Sequence, residues 1–351
     1  MPDIFKKLAL HLDNLPAGFP ATDTGVELRI LKRLFTPEEA RIAMGLTMRL
    51  ESPATVAERL GRNTEELSVQ LERMSKKGLL IRGGKGGRYR YMAAQFVVGI
   101  WEYHVNDLDE NLIRDFNEYV PYLMKAQLTL KTQQLRVIPV SRSISAEMKI
   151  MPYEAAEEII KSQSKILVAP CICRKEHRMM GAGCDSPLET CLIFGGSAFF
   201  YEENGIGRTV SQDEALKVLN TGMEAGLVLQ PGNSIKPANI CMCCGCCCQI
   251  LKNLKAIDKP GRIVCSSYYA AVNAENCTAC EACATRCQMD AITVAGTARV
   301  DLDKCIGCGL CVESCQSDAM HLVKKEGKDI WEPPRNVAET YINIARERGK
   351  I

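Results

Sequence analysis

Apolar residues between positions 26 and 98 recur every three or four residues, in short stretches that end at capping residues. This pattern is typical of a compact helical unit. Thr36 and Glu39 form a capping-box start for the first of three helices, which we expect at residues 37–48, 53–60 and 64–77. Two apolar stretches then flank the glycine-rich, basic segment RGGKGGR, and they predict a β-hairpin with strands at 79–81 and 89–92.

The rest of the chain alternates amphipathic helices with short apolar strands. Residues 99–136 predict a helical connector, kinked where Pro121 interrupts the pattern. The next expected elements are a helix that Pro152 opens, the buried strand ILVAP and a helix that starts at the capping box of Ser211 and Glu214. An amphipathic helix at 336–348 closes the chain.

Cysteine is distributed very unevenly along this pattern. All 19 cysteines lie between Cys171 and Cys315, and the first 170 residues contain none. They form local runs with metal-ligand spacings, unlike the dispersed cysteines of a disulfide-stabilised secreted domain. We therefore expect a multi-domain α+β protein in five parts: an N-terminal helical and hairpin domain (1–98), a helical connector (99–136), a Cys-rich metal-binding domain (137–271), a duplicated cysteine domain (272–325) and a C-terminal helix (326–351).

Charge and hydropathy exclude several classes of protein. The chain has 44 Lys and Arg against 42 Asp and Glu, a formal net charge of +2, so it has no overall bias toward nucleic acid or an anionic membrane. No stretch approaches the roughly 18 consecutive apolar residues of a membrane span, and the first residues lack the apolar core of a signal peptide. We expect a cytoplasmic protein with no membrane span, whose thiols stay reduced and available to metals.

The most specific motif is a cysteine run that recurs 28 residues later. The first copy is Cys277-x2-Cys280-x2-Cys283-x3-Cys287, and the second is Cys305-x2-Cys308-x2-Cys311-x3-Cys315. In such a run three cysteines face one iron–sulfur cube and the fourth ligates the other cube. The sequence therefore predicts two [4Fe-4S] clusters, one on Cys277, Cys280, Cys283 and Cys315 and the other on Cys305, Cys308, Cys311 and Cys287. Zinc knuckles would not require the fourth cysteine in both copies.

The duplicated run resembles bacterial two-cluster ferredoxins over about 50 residues. It departs from that family at Gln288 and Gln316, which stand where the family has proline after the fourth cysteine. Proline ligates nothing there, so we expect the change to affect reduction potential and local rigidity rather than cluster presence. The resemblance implies low-potential electron transfer, one electron at a time through each cube.

Residues 26–98 resemble the winged helix-turn-helix family, both in the order of the expected elements and in the segment SPATVAERLGRNTEELSVQLERMSKKGLLIR. The third helix begins with Glu65 and Glu66, which DNA phosphates would repel. The expected wing is basic, with Arg82, Lys85, Arg88 and Arg90. We expect protein docking, or dimerisation of two copies of the chain, rather than DNA binding, which stays the alternative.

Eleven further cysteines precede the duplicated run, and ten of them are candidate metal ligands. These ten are Cys171, Cys173, Cys184, Cys191, Cys241, Cys243, Cys244, Cys246, Cys247 and Cys248. Adjacent thiols are an oxidation hazard that ligation to a soft metal removes. Their spacings match no ferredoxin run, so we expect at least one further [4Fe-4S] cluster where PCICR and CMCCGCCC converge. The alternative is one cluster together with a zinc site or a noncubane cluster.

Two nearby residues are expected to play no ligand role. Cys265 stands alone and suits a core position, because free cysteine packs as a small apolar residue. His177 follows Cys173 by four residues, and we expect it to face solvent rather than to supply a nitrogen ligand.

The order of winged helix, PCICR and CCGCCC segments and ferredoxin run is similar to a group of uncharacterised iron–sulfur proteins of anaerobes. That resemblance implies an oxygen-poor setting and no particular reaction. We expect an electron-transfer component rather than a free-standing catalyst, which relays low-potential electrons to or from a partner oxidoreductase or flavoprotein. The alternatives are a redox-sensing transcription regulator and a reductase subunit that binds substrate at the central cysteines. RGGKGGR is no nucleotide-binding loop, since it lacks the strand before and the helix after it.

Overall fold

The computed structural model describes residues 3–145 and 147–351, which fold as an α+β protein of helices and short antiparallel strands. The helices, in chain order, are α1 (Ile4–Asn14), α2 (Val26–Leu34), α3 (Pro37–Ala43), α4 (Pro53–Leu60), α5 (Thr64–Lys76), α6 (Trp101–Tyr103), α7 (Glu110–Gln127), α8 (Ala156–Lys161), α9 (Ile172–Met179), α10 (Gly195–Glu203), α11 (Gln212–Glu224), α12 (Gln249–Lys255), α13 (Pro260–Ile263), α14 (Ala282–Arg286), α15 (Leu310–Glu313) and α16 (Val337–Glu347).

The strands are short. They are β1 (Leu80–Lys85), β2 (Arg88–Ala93), β3 (Ile166–Pro170), β4 (Glu189–Phe194), β5 (Arg208–Val210), β6 (Val228–Pro231), β7 (Asn239–Cys243), β8 (Tyr268–Val272), β9 (Ile292–Ala295), β10 (Thr297–Val300) and β11 (Met320–Lys324). Among the described residues, no helix combines the length and the apolar character that a membrane span needs.

The chain divides into two compact units. Unit 1 comprises residues 1–130, 196–208 and 341–351. Its core is aromatic, because the rings of Trp101 and Phe116 stack 3.6 Å apart and the ring of Phe19 lies 4.8 Å from those of Phe96 and Tyr119. Burial of these large rings stabilises the packing of α7 against the segments that carry Phe19, Phe96 and Trp101.

Most helix boundaries expected between residues 26 and 98 are confirmed. The Thr36 capping box, the Ser52 cap and the Asn63 cap are all present, and β1 pairs with β2 as the expected hairpin. The expected end of the first helix at Met48 is wrong, since α3 ends at Ala43. The chain turns there so that Glu51 can exchange two backbone hydrogen bonds with Tyr91 of β2.

Unit 2 comprises residues 131–195 and 209–340. Its main sheet has the strand order β5-β3-β4-β7-β6, in which β4 pairs antiparallel with β3 and β7, and β7 with β6. β3 is the expected strand ILVAP, and Ser211 caps α11 as expected. The helix expected from Pro152 is shorter: a 3-10 turn precedes α8, because Ala155 is extended between them.

Two smaller hairpin-like sheets hold the duplicated cysteine runs in unit 2. β8 pairs antiparallel with β11, and β9 with β10. In each run a short helix, α14 or α15, leads to the fourth cysteine. The two runs thus lie on matching local structures, as an internal duplication predicts.

Candidate metal centres

Two cavities in unit 2 are lined by the duplicated cysteines. One takes Cys287 from the first run together with Cys305, Cys308 and Cys311. The other takes Cys315 from the second run together with Cys277, Cys280 and Cys283. Each cavity therefore combines three cysteines of one run with the fourth cysteine of the other.

The backbone repeats along with the cysteines. Asp290 and Asp318, 28 residues apart, both have a positive φ, of 52° and 53°. Ala279 and Gly307 are also equivalent, with φ of 55° and 72°. Gly307 cannot be replaced, because a Cβ there would lie 2.1 Å from the carbonyl oxygen of Tyr268. These left-handed residues bend each loop around its cavity.

The lining of these cavities fits an iron–sulfur cluster. Backbone N–H groups donate to three of the sulfurs: Ala270 to Cys305 at 3.4 Å, Ala291 to Cys287 at 3.3 Å and Ala298 to Cys277 at 3.3 Å. Such bonds stabilise negative charge on sulfur.

Burial has the opposite effect on the bare thiols. It raises the pKa of Cys308 to about 12, and it also raises the pKa of Cys311. Coordination to a positively charged metal centre would offset this effect of burial, because it stabilises the deprotonated thiolate.

Six of the ten central cysteines form one chain of contacting thiols. In order of contact they are Cys171, Cys173, Cys248, Cys243, Cys241 and Cys191. The main sheet and two helix starts bring them together: Cys191 lies on β4, Cys241 and Cys243 lie on β7, and Cys171 and Cys248 precede α9 and α12. PCICR and CMCCGCCC therefore converge, as expected from the sequence.

Hydrogen bonds determine which thiols of this six-thiol chain lose a proton most easily. The pKa of Cys241 lies well below its ordinary value because it accepts hydrogen bonds from Cys191 and Cys243. Buried amides also donate to the sulfurs: Asn239 Nδ2 lies 3.4 Å from Cys241 Sγ, and Gln230 Nε2 lies 3.9 Å from Cys248 Sγ. The chain thus offers thiolates in a buried, hydrogen-bonded setting.

The other four central cysteines form a separate group. The Sγ atoms of Cys184, Cys244, Cys246 and Cys247 all lie within 4.8 Å of one another. Burial raises the pKa of Cys246 to about 11. Burial also acts to raise the pKa of Cys184, but hydrogen bonds from the side chain and backbone of Ser186 outweigh it, and that pKa falls to about 6.

Arg174, within PCICR, lies between the two groups of thiols and is fully buried. It donates from Nη1 to the carbonyl oxygen of Met242 at 3.0 Å and to Cys244 Sγ at 3.9 Å, and from Nη2 to Thr190 Oγ1. Burial lowers its pKa, but the charge of Cys171 and the contact with Cys244 raise the pKa above its ordinary value. A guanidinium that stays charged without water needs anions around it, so its position fits thiolates.

Gln288 joins the duplicated runs to the central cysteines. Its Oε1 accepts from the N–H of Gly245 at 2.6 Å, and its Nε2 donates to the carbonyl oxygen of Gly226 at 2.9 Å. Gly245 lies between Cys244 and Cys246, and a Cβ there would lie 2.3 Å from the Gln288 carbonyl oxygen. The glycine of CCGCCC is therefore required for this close approach.

The two non-ligand expectations differ in outcome. Cys265 is buried apart from both thiol groups and donates to the carbonyl oxygen of Lys131 at 3.7 Å, which fits a core residue. The expectation that His177 faces solvent is wrong. His177 is only 8% exposed, with Nδ1 2.8 Å from the Cys173 carbonyl oxygen and Nε2 2.9 Å from Lys252 Nζ. Both ring nitrogens thus have non-metal partners.

The expected basic wing in unit 1 is smaller than its sequence predicts. Arg82 is buried and pairs with Glu203 at 2.7 Å and with Ser75 Oγ at 3.1 Å, so it is not available to phosphates. Arg88 and Arg90 are exposed, and the side chain of Lys85 lies outside the described residues.

Sequence reasoning missed Arg174 and the contact made by Gln288. A cation inside a cysteine motif, and a departure from the family's proline, were the two available signals. The division of the ten central cysteines into six and four had no signal in their spacing.

Comparison with known proteins gives one match. Residues 298–321, which contain the second cysteine run, match the family of 4Fe-4S binding domains. No curated protein and no solved structure matches the chain. The chain is therefore an iron–sulfur protein with a ferredoxin-like [4Fe-4S]-binding domain.

Proposed function

We propose that this protein relays electrons between two [4Fe-4S] clusters at the duplicated runs and a further iron–sulfur centre at the six-thiol chain. A partner oxidoreductase or flavoprotein supplies or accepts the electrons. Bound clusters supply one-electron redox chemistry. The observation that carries the proposal is the contact of Gln288, which follows the candidate ligand Cys287, with Gly245, which lies between Cys243 and Cys248 of the six-thiol chain.

The grouping of cysteines around the two cavities supports the cluster assignment. Three thiols of one run and the fourth thiol of the other surround each cavity, which is the arrangement of a two-cluster ferredoxin. Apolar side chains, including Ile292, Leu310 and Met320, line part of each cavity and limit the access of water, while Cys280 is exposed. Low solvent access and N–H donors are the features that set the reduction potential of such sites.

Contacts beyond Gln288 support a fixed path between the ferredoxin part and the central part of unit 2. Arg286 Nη2 donates to the carbonyl oxygens of Met223 and Glu224 at 2.9 and 2.8 Å. Lys255 Nζ pairs with Asp290 Oδ2 at 2.9 Å. Residues 286–290 thus hold Cys287 close to the loop that carries Cys244 and Cys246.

For residues 26–98 we propose a winged-helix domain that docks a protein partner. Glu65 and Glu66 are exposed at the start of α5, where a DNA-reading helix would meet base edges and phosphates. Arg82 is committed to Glu203, which leaves few described cations on the wing. This charge distribution favours a protein surface over a duplex.

Replacement of Cys287 by serine tests the relay. We expect Cys287→Ser to alter the same paramagnetic resonance signal as Cys305→Ser, and to reduce the uptake of electrons by about one per chain, because one cube is lost. Cys280→Ser is the matched control and should alter the other signal. If Cys287→Ser instead reproduces the spectrum of Cys280→Ser, the crossed ligation is wrong. Unchanged electron uptake would contradict the relay.

A further inference from the structure

We propose that Cys184, Cys244, Cys246 and Cys247 bind a single zinc ion, separate from the iron–sulfur centres. The proposal goes beyond the relay, since zinc carries no electrons. It rests on three observations. The four sulfurs are closely spaced, the cysteines of the duplicated runs are spaced more widely, and the loop that carries Cys244, Cys246 and Cys247 also makes the contact with Gln288.

The sulfur spacing is that of one tetrahedral ion. Sulfurs about 2.3 Å from a central zinc lie at the corners of a tetrahedron whose edges are about 3.8 Å. The Sγ atoms lie 3.8 Å apart from Cys184 to Cys244, 3.7 Å from Cys184 to Cys247 and 3.7 Å from Cys246 to Cys247. The remaining pairs lie within 4.8 Å.

A cubane requires wider spacing. Each of its thiolates binds a different iron, so the edge of the cube adds to the distance between ligand sulfurs. The cysteines of the duplicated runs are spaced more widely than the four-cysteine group. Among residues 3–145 and 147–351, the four-cysteine group alone brings three or more ligand atoms within 4.8 Å of one another. The same structure therefore distinguishes two kinds of thiol site.

The ligand set is closed and soft. Four cysteines complete a tetrahedral shell with no position left for water or substrate, which is typical of structural zinc. The shell would fix the segment Cys244–Cys247, in which the Gly245 N–H donates a hydrogen bond to Gln288 Oε1 at 2.6 Å. A zinc ion here would hold the loop on which the contact with the ferredoxin part depends.

The buried charge of Arg174 is consistent with this assignment. A zinc ion with four thiolates carries a net charge of about −2, and Arg174 Nη1 lies 3.9 Å from one of its sulfurs. The fully buried guanidinium needs anions around it, and this site would supply them together with Cys171.

The test uses the full chain, purified without oxygen and never exposed to added metal. We expect about one zinc per chain, and X-ray absorption at the zinc edge should show four sulfurs at about 2.3 Å. Cys246→Ser should lower zinc to near zero with iron unchanged; Cys246 is exposed, so the change is compatible with folding. Cys265→Ser, a buried cysteine outside both groups, is the matched control and should keep its zinc.

The outcomes separate this proposal from the relay. Loss of iron rather than zinc in Cys246→Ser would overturn the zinc assignment, and so would a zinc edge with fewer than four sulfurs. Neither result bears on the Cys287→Ser test, because that test reads paramagnetic signals and electron uptake.

Discussion

Gln288 makes two of the hydrogen bonds that join the duplicated cysteine runs to the central part of unit 2. Proline, which the two-cluster family has at this position, could make neither of its side-chain hydrogen bonds to Gly245 and Gly226. Glutamine in place of proline at position 288 therefore has a physical reason. Its side chain makes contacts with Gly245 and Gly226, which lie outside the duplicated cysteine runs.

We therefore expect Gln288→Ala to slow electron exchange between the ferredoxin part and the central centre, with all clusters retained. Two lost hydrogen bonds should also lower the free energy of unfolding by about 1–3 kcal/mol. Gln316→Ala is the matched control, because Gln316 is the equivalent residue of the second run and is exposed. Rapid-mixing reduction, followed by the visible spectrum, measures the exchange. Equal rates in the two variants would contradict the role of Gln288.

At the level of single residues, the grouping of the duplicated cysteines around two cavities was predictable, because their spacing is local and repeats. The division of the central cysteines was not, since Cys184 meets Cys244 and Cys247 across some 60 residues of chain. His177 was wrongly expected at the surface, because its burial depends on Lys252 of α12, which sequence proximity to Cys173 does not reveal.

Among the elements, capped helices followed the sequence closely, whereas the wing did not. Capping signals are local, so α4, α5 and α11 begin where Ser52, Asn63 and Ser211 predict. The availability of a wing arginine depends instead on tertiary contacts. Arg82 lies on β1 but pairs with Glu203 of α10, which the hairpin sequence cannot show.

We expect the wing, the hairpin of β1 and β2, to bind DNA weakly and without sequence preference. With Arg88 and Arg90 as the described exposed cations of the wing, log affinity should fall with log salt with a slope of about −2. Binding of the anaerobic protein to random and promoter fragments across a salt series measures it, with Arg88→Ala as the comparison. Tight binding to one sequence at physiological salt would favour the redox-sensing regulator instead.

For the whole molecule, the mixed α+β class and an iron–sulfur domain followed from the sequence, because the periodicity of apolar residues and the spacing of cysteine ligands are both local features of the sequence. The arrangement of the cysteine groups within unit 2 did not, since it depends on how β4 and β7 pair and on how residues 286–290 pack. The relay is proposed because of this arrangement, and the duplicated cysteine run alone would not support it.

The number of electrons that the protein accepts tests the relay most directly. Anaerobic reductive titration of the full chain should consume about three electrons per chain, one for each ferredoxin cube and at least one for the centre at the six-thiol chain. The zinc ion should add none. An uptake of about two electrons or fewer would contradict the account, because it would leave no electron for the centre at the six-thiol chain.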